Sequence, residues 1–136
     1  MVIRDQQMEA LNRSAQARFV RQLAEYLRAN HGSTVVRLAH GEPAVNAIQS
    51  DQLESLVQAG VDRAGSYGFS WRSSVAAFVV TMFVVAPNFH EDQFVNELLS
   101  DRDIEPDYRM DTALERVTEE QWDQIRQTYN RKAWEL

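Results

Sequence analysis

Three histidines, His31, His40 and His90, and two runs of acids, Glu91-Asp92 and Asp101-x-Asp103-x-Glu105-x-Asp107, are the residues with the means to do chemistry. A metal centre needs ligands whose spacing returns them to one point, such as two histidines one helical turn apart. The histidines here lie far apart in sequence, so surface or helix-capping roles are expected for them. The alternating acids start like a calcium loop, but proline stands at its sixth position in place of glycine and threonine at its twelfth in place of glutamate. Carboxylates could also pair for hydrolysis, which requires a pocket to set their separation. No serine sits in a G-x-S-x-G turn, and no glycine-rich loop is present to cradle a phosphate. With no cysteine, thiol catalysis, disulfides and sulfur-ligated zinc are excluded. These residues predict no catalytic centre, metal or cofactor, and the chain reads as non-enzymatic.

What remains is chemistry of contact. Trp71 and Arg72 open a helix after a glycine turn, and tryptophan and arginine are favoured anchors at protein interfaces. Trp134 either folds back on the body of the protein or meets a partner, whereas Trp122 reads as core. The acids Asp101, Asp103, Glu105 and Asp107, with Glu119 and Glu120, are candidates for holding a basic partner. Charge supports treating them together: residues 1–32 carry a net +2, residues 33–88 a net −1 and residues 89–136 a net −7. A patch of that kind steers a basic partner, and it equally serves as a solvated face that keeps a protein dispersed. The overall net charge of −6 argues against a general nucleic-acid binder.

These side chains must be carried by helices. At 136 residues, with 44% hydrophobic and 25% charged side chains, the chain matches one soluble domain. Five glycines and three prolines are too few for a turn-rich sandwich. Met8, Leu11, Ala15, Phe19, Leu23 and Leu27 recur at helical steps, predicting a helix over residues 3–30 that ends at His31-Gly32 with glycine in the left-handed position. Ser33–Ala39 is expected to be a short helical piece, broken by Gly41-Glu42-Pro43. Leu53, Leu56, Val57, Gly60, Val61 and Ala64 predict the next helix, starting near Pro43 or Ser50 and stopping at Gly65-Ser66-Tyr67-Gly68. Gly60 and Ala64 would let a neighbouring helix come close.

The most apolar run follows. With Ser70 as its expected cap, a helix over about 71–86 places Val75, Phe78, Val79, Met82 and Phe83 on one side and Val80, Val84 and Val85 on the other. A helix apolar all round belongs at the centre of a bundle. Its β-branched residues would also suit a buried strand, but no second strand-like run exists to pair with it. Val75–Ala86 is too short to cross a membrane, and Pro87 ends it. Shorter helices are expected at Glu91–Ser100, with Phe94, Leu98 and Leu99 inward, and at Arg109–Val117, with Met110, Ala113, Leu114 and Val117 apolar. Thr118-Glu119-Glu120-Gln121 is a capping box opening a last helix to about Ala133. Residues 1–136 therefore read as a single all-α domain, a compact bundle of about six helices around a central hydrophobic one. The opening residues hold no apolar export segment, so a cytoplasmic location is expected.

Ile3-Arg4-Asp5-Gln6-Gln7-Met8 at the head of an arginine-rich helix, then Gly60-Val61-Asp62-Arg63-Ala64-Gly65-Ser66-Tyr67-Gly68, then Met82-Phe83-Val84 with Pro87-Asn88-Phe89, resemble in order and spacing a family of small helical bacterial proteins. Those proteins are encoded beside type VI secretion spike components (VgrG and PAAR proteins) and their toxic effectors. The resemblance covers most of residues 3–117 and rests on helix-packing residues, while the tail ending Trp134-Glu135-Leu136 departs from it. It implies no catalytic residue or cofactor. It implies a protein partner, with the chain acting as an accessory chaperone or adaptor for an effector or spike protein, or as an immunity protein whose acidic last third blocks a toxin's basic groove.

Overall fold

The computed structural model describes the backbone of residues 2–135, and side chains from residue 13 to residue 135. The side chains of the Ile3–Met8 segment and of Leu11 are not among those described. Six α-helices follow in order: α1 Val2–His31, α2 Ser50–Ser66, α3 Arg72–Val84, α4 Gln93–Leu99, α5 Pro106–Arg116 and α6 Glu119–Gln127. Short 3-10 turns at Val45–Ala47, Phe89–Glu91 and Arg131–Trp134 join or follow them. Among the described residues no strand forms, and the all-helical class read from the periodicity is the fold observed.

α3 is the hub. It packs against α1, α2 and α5, and α4 rests on α5. The inward stripe of α2 is the one the sequence shows: Leu53, Leu56, Val57, Gly60, Val61 and Ala64 are all buried. Gly60 is what brings α2 onto α3. A methyl group in its place would stand 3.0 Å from Val79 Cγ2 and 3.1 Å from Met82 Sδ, closer than such carbons normally approach. α2 ends at Tyr67, after which Gly68 takes the left-handed step (φ 88°). Val75, Phe78, Val79, Met82 and Phe83 of α3 are buried as expected, together with Ser74 and Thr81.

Several local expectations are corrected. Residues 33–44 are not helical. They form a small hairpin with antiparallel pairs Val35–Ala44 and Leu38–Gly41, closed by Val36 N–H donating to the Pro43 carbonyl (2.8 Å) and Leu38 N–H to that of Gly41 (2.8 Å). Val36 and Leu38 drop into the core, so the alternating exposure of Val35, Val36, Arg37 and Leu38 marks extended chain. Gly32 does not take the left-handed position. It is small because a side chain there would strike Asn46 and stand 2.7 Å from the Arg28 carbonyl. The cap of α3 is Trp71, not Ser70. In α4 Leu98 and Leu99 are inward as expected, but Val95 joins them and Phe94 is exposed; in α5 Met110, Ala113 and the C-cap Val117 are buried while Leu114 is exposed. α6 stops at Gln127, so Tyr129 and Trp134 leave the helix. The capping box of Thr118 is present in full: Gln121 N–H donates to Thr118 Oγ1 (3.2 Å), and Thr118 N–H donates to Gln121 Oε1 (2.9 Å).

Candidate functional site

α3 carries apolar residues on both sides, and its neighbours cover only one of them. Ser73, Ala76, Ala77, Val80 and Val84 share the second face by helical spacing. Ser73 and Val84 are exposed, and the three between them are half-buried. α1 rises along one edge of this face with Leu23 and Tyr26, and α5 along the other with Leu114. Together they enclose an open apolar groove of about 350 Å³, lined by Leu23, Tyr26, Ala76, Ala77, Val80, Thr81 and Leu114. No charged side chain lines it. Its one hydroxyl in the floor, Thr81 Oγ1, donates to the Ala77 carbonyl at 2.7 Å and so is spent within its own helix. Tyr26 and Leu114 are each about half exposed on the lips (48% and 45%). Exposed apolar groups gathered in a concave surface are what a partner's apolar side chains need, and they offer no handle for bond-breaking.

The lip formed by α5 is acidic. Asp107, Asp111 and Glu115 recur every fourth residue, bringing them to the border beside Leu114. Asp111 and Glu115 are exposed, and among the described residues neither joins an ion pair. The facing stretch of α1 presents uncharged Gln22, Tyr26, Ala29 and Asn30. Arg28 turns the other way and donates to the carbonyls of Val45 (3.3 Å), Asn46 (3.4 Å) and Ile48 (2.6 Å).

The sequence-derived candidates do not converge on one place. Trp71 and Asp107 do meet. Asp107 Oδ1 accepts from the backbone N–H groups of Ser70 (2.9 Å) and Trp71 (2.8 Å), and Oδ2 from Ser70 Oγ (2.9 Å). Ser74 Oγ donates to the Asp107 carbonyl (2.8 Å). Desolvation works to raise the Asp107 pKa, but the bonds from Trp71, Ser70 and Ser74 outweigh it, and the net shift is downward. Asp107 is thus a cap delivered by α5 to the start of α3. Trp71 stays exposed and meets the Tyr108 ring edge-on at 5.1 Å, and Arg72 lies over the Phe19 ring at 5.9 Å. Asp101 accepts from Asp103 N–H (2.9 Å) and shapes the α4–α5 turn, with Asp103 and Glu105 exposed around it. Glu119 and Glu120 sit exposed in the first turn of α6, where carboxylates favour the helix dipole. Of the two roles open for Trp134, folding back on the body is the one observed, so the residue is buried and not an exposed partner contact: its ring packs on Phe83 at 4.8 Å, and Nε1 donates to Tyr129 Oη at 2.8 Å.

His90 is likewise corrected, from a surface residue to a buried one. It sits among Tyr67, Phe78 and Phe89, with Nδ1 and Tyr67 Oη 3.0 Å apart, while Nε2 has no hydrogen-bond partner. Asn96 Nδ2 donates both to Tyr67 Oη (3.1 Å) and to the His90 carbonyl (3.1 Å). Burial and then the Arg63 charge lower the imidazole pKa to about 4, against a small opposing effect of the Pro87 carbonyl. Among the described residues, no group of three or more acids and histidines converges to hold a metal, and no helix is long and apolar enough to cross a membrane.

Tyr26, Val80 and Leu114 were not among the candidate site residues of the sequence. The signal for them was Val80 and Val84 on the second side of an already apolar helix, which reads as core until its neighbours are in place. Comparison with protein-family models, with curated proteins and with solved structures finds no match.

Proposed function

We propose that this protein is a non-enzymatic binding module, an accessory chaperone or adaptor for a type VI secretion effector or spike protein. The observation that carries the reading is the open apolar groove along α3, which holds exposed apolar residues between two helices and no charged group. A chaperone or adaptor needs a surface of this kind, able to shelter an amphipathic segment of a client without reacting with it. The secretion context comes from the residues that resemble the spike-associated helical proteins, Gly60–Gly68 and Met82–Phe89 among them. Co-expression with the proteins encoded beside its gene is the test. The soluble yield of a spike protein or effector should rise severalfold and the two chains should co-purify; no change with any neighbour would rule the reading out.

A second reading, an immunity protein, is favoured by the acidic last third. Glu105, Asp111, Glu115, Glu119 and Glu120 are exposed and, among the described residues, outside any ion pair. Growth rescue from a co-expressed toxin, through binding to its toxic domain, would select this reading over the first.

A further inference from the structure

The groove has a definite shape and a one-sided charge, and these describe its occupant. Ser73 to Val84 is twelve residues of helix, about 16 Å over eleven rises of 1.5 Å. The floor is low where Ala76 and Ala77 stand, so a second backbone can approach α3 to an ordinary interhelical distance of about 8–10 Å. The walls are themselves helices, α1 and α5, which leaves a slot for a rod and no exposed strand edge to extend. The α5 lip bears Asp111 and Glu115, which join no ion pair among the described residues, and on the α1 lip Tyr26 has the uncharged neighbours Gln22, Ala29 and Asn30.

We propose that the groove takes a basic amphipathic helix of three to four turns from a partner protein, its apolar stripe on Ala77, Val80 and Leu114 and its lysines or arginines against Asp111 and Glu115. This deepens the adaptor reading and rests on it for the identity of the client. An acidic helix would meet repulsion from Asp111 and Glu115 on the α5 side. The apolar floor supplies affinity, and the acidic lip sets orientation and the sign of the client's charge.

Two labelled peptides of 14 residues test the proposal by fluorescence anisotropy against the full chain. Both carry leucines at i, i+3, i+4, i+7 and i+11. One has lysines along a single border of that stripe, and the other has glutamates there. The lysine peptide should bind about tenfold more tightly, the equivalent of two rim ion pairs at about 0.7 kcal/mol each. Asp111→Lys with Glu115→Lys should cost it about tenfold, whereas Glu119→Lys with Glu120→Lys, an identical change in net charge, should cost less than about twofold. Val84→Ser and Leu114→Ser, at positions already exposed, should weaken both peptides while leaving the melting temperature unchanged. Equal binding of the two peptides, equal losses from the two double variants, or no binding of the lysine peptide would overturn the proposal. A client that still co-purifies after Asp111→Lys with Glu115→Lys would overturn this inference and leave the adaptor reading standing. Peptide binding without any client would do the reverse.

Discussion

Asp107 fastens two helices with one carboxylate. It lies in the first turn of α5, yet its oxygens receive the free N–H groups ahead of α3, a service that a residue such as Ser or Asp at the cap would ordinarily perform locally. Asp107→Ala should therefore destabilise the fold by about 1–2 kcal/mol in urea denaturation, with Asp107→Asn recovering part of the loss. Because the folded carboxyl is held below its ordinary range, that contribution is present at neutral pH and disappears as acid protonates it. His90 works in the same direction over a higher range. Its folded pKa is depressed from 6.5 to about 4, so the unfolded chain binds the proton more readily. Stability is complete above pH 6.5 and falls as the pH drops from 6.5 toward 4, by on the order of 2 kcal/mol. Arg63 and Glu91 are the charged groups beside it, and Tyr67 holds its Nδ1. A His90→Gln chain should lose much less between pH 7 and pH 4.5 by the same measurement; an undiminished slope would place the acid sensitivity in other groups.

At the scale of elements, two glycines of α2 separate packing from propensity. Gly65 faces open space, and alanine there should raise stability by roughly 0.5–1 kcal/mol through helix propensity alone. Gly60 lies under Val79 and Met82, so Gly60→Ala should forfeit that gain, and Gly60→Val should cost about 1–3 kcal/mol in thermal melts. The importance of Gly60 was legible because Gly60 and Ala64 interrupt a stripe of larger apolar residues at helical spacing. α2, α3 and the capping box of α6 were legible for the same reason: each carries a strong local period or cap. The hairpin at 33–44 was not, since Val35–Leu38 is too short to show a period and takes its order from pairing with Pro43 and Ala44. Phe94 was assigned inward because apolarity in a short helix does not say which of two adjacent residues meets a neighbour; Val95 won that place, and of Met110, Ala113, Leu114 and Val117 it is Leu114 that is left exposed. The groove escaped for a related reason. Sequence identifies Val80 and Val84 as apolar, but only the positions of α1 and α5 determine that nothing covers them.

Across the whole molecule, the 33–44 hairpin and the tail at 129–134 are joined by a clasp. Arg131 donates to Glu42 (2.9 Å) and to the Leu38 carbonyl (3.3 Å), and Glu42 also receives Arg37 at 3.8 Å. Tyr129 Oη accepts from Arg37 N–H (3.1 Å), with the Arg37 guanidinium 4.9 Å above its ring. Trp134 anchors the arrangement on Phe83. Trp134→Ala should cost about 3 kcal/mol and speed amide exchange at Val36 and Leu38, a pairing of effects that a purely local loss of packing would not produce. Exposed ion pairs such as Arg131–Glu42 are weak by themselves, so the indole carries most of this closure. One consequence concerns the order in which the protein comes into being. A ribosome releases the 33–44 segment well before residues 129–134 exist, at about 5–20 residues per second. During that interval the hairpin lacks the lock that Tyr129, Arg131 and Trp134 supply, and nascent chains halted short of Tyr129 should be cut by protease between Arg37 and Glu42 while those extended past Trp134 resist.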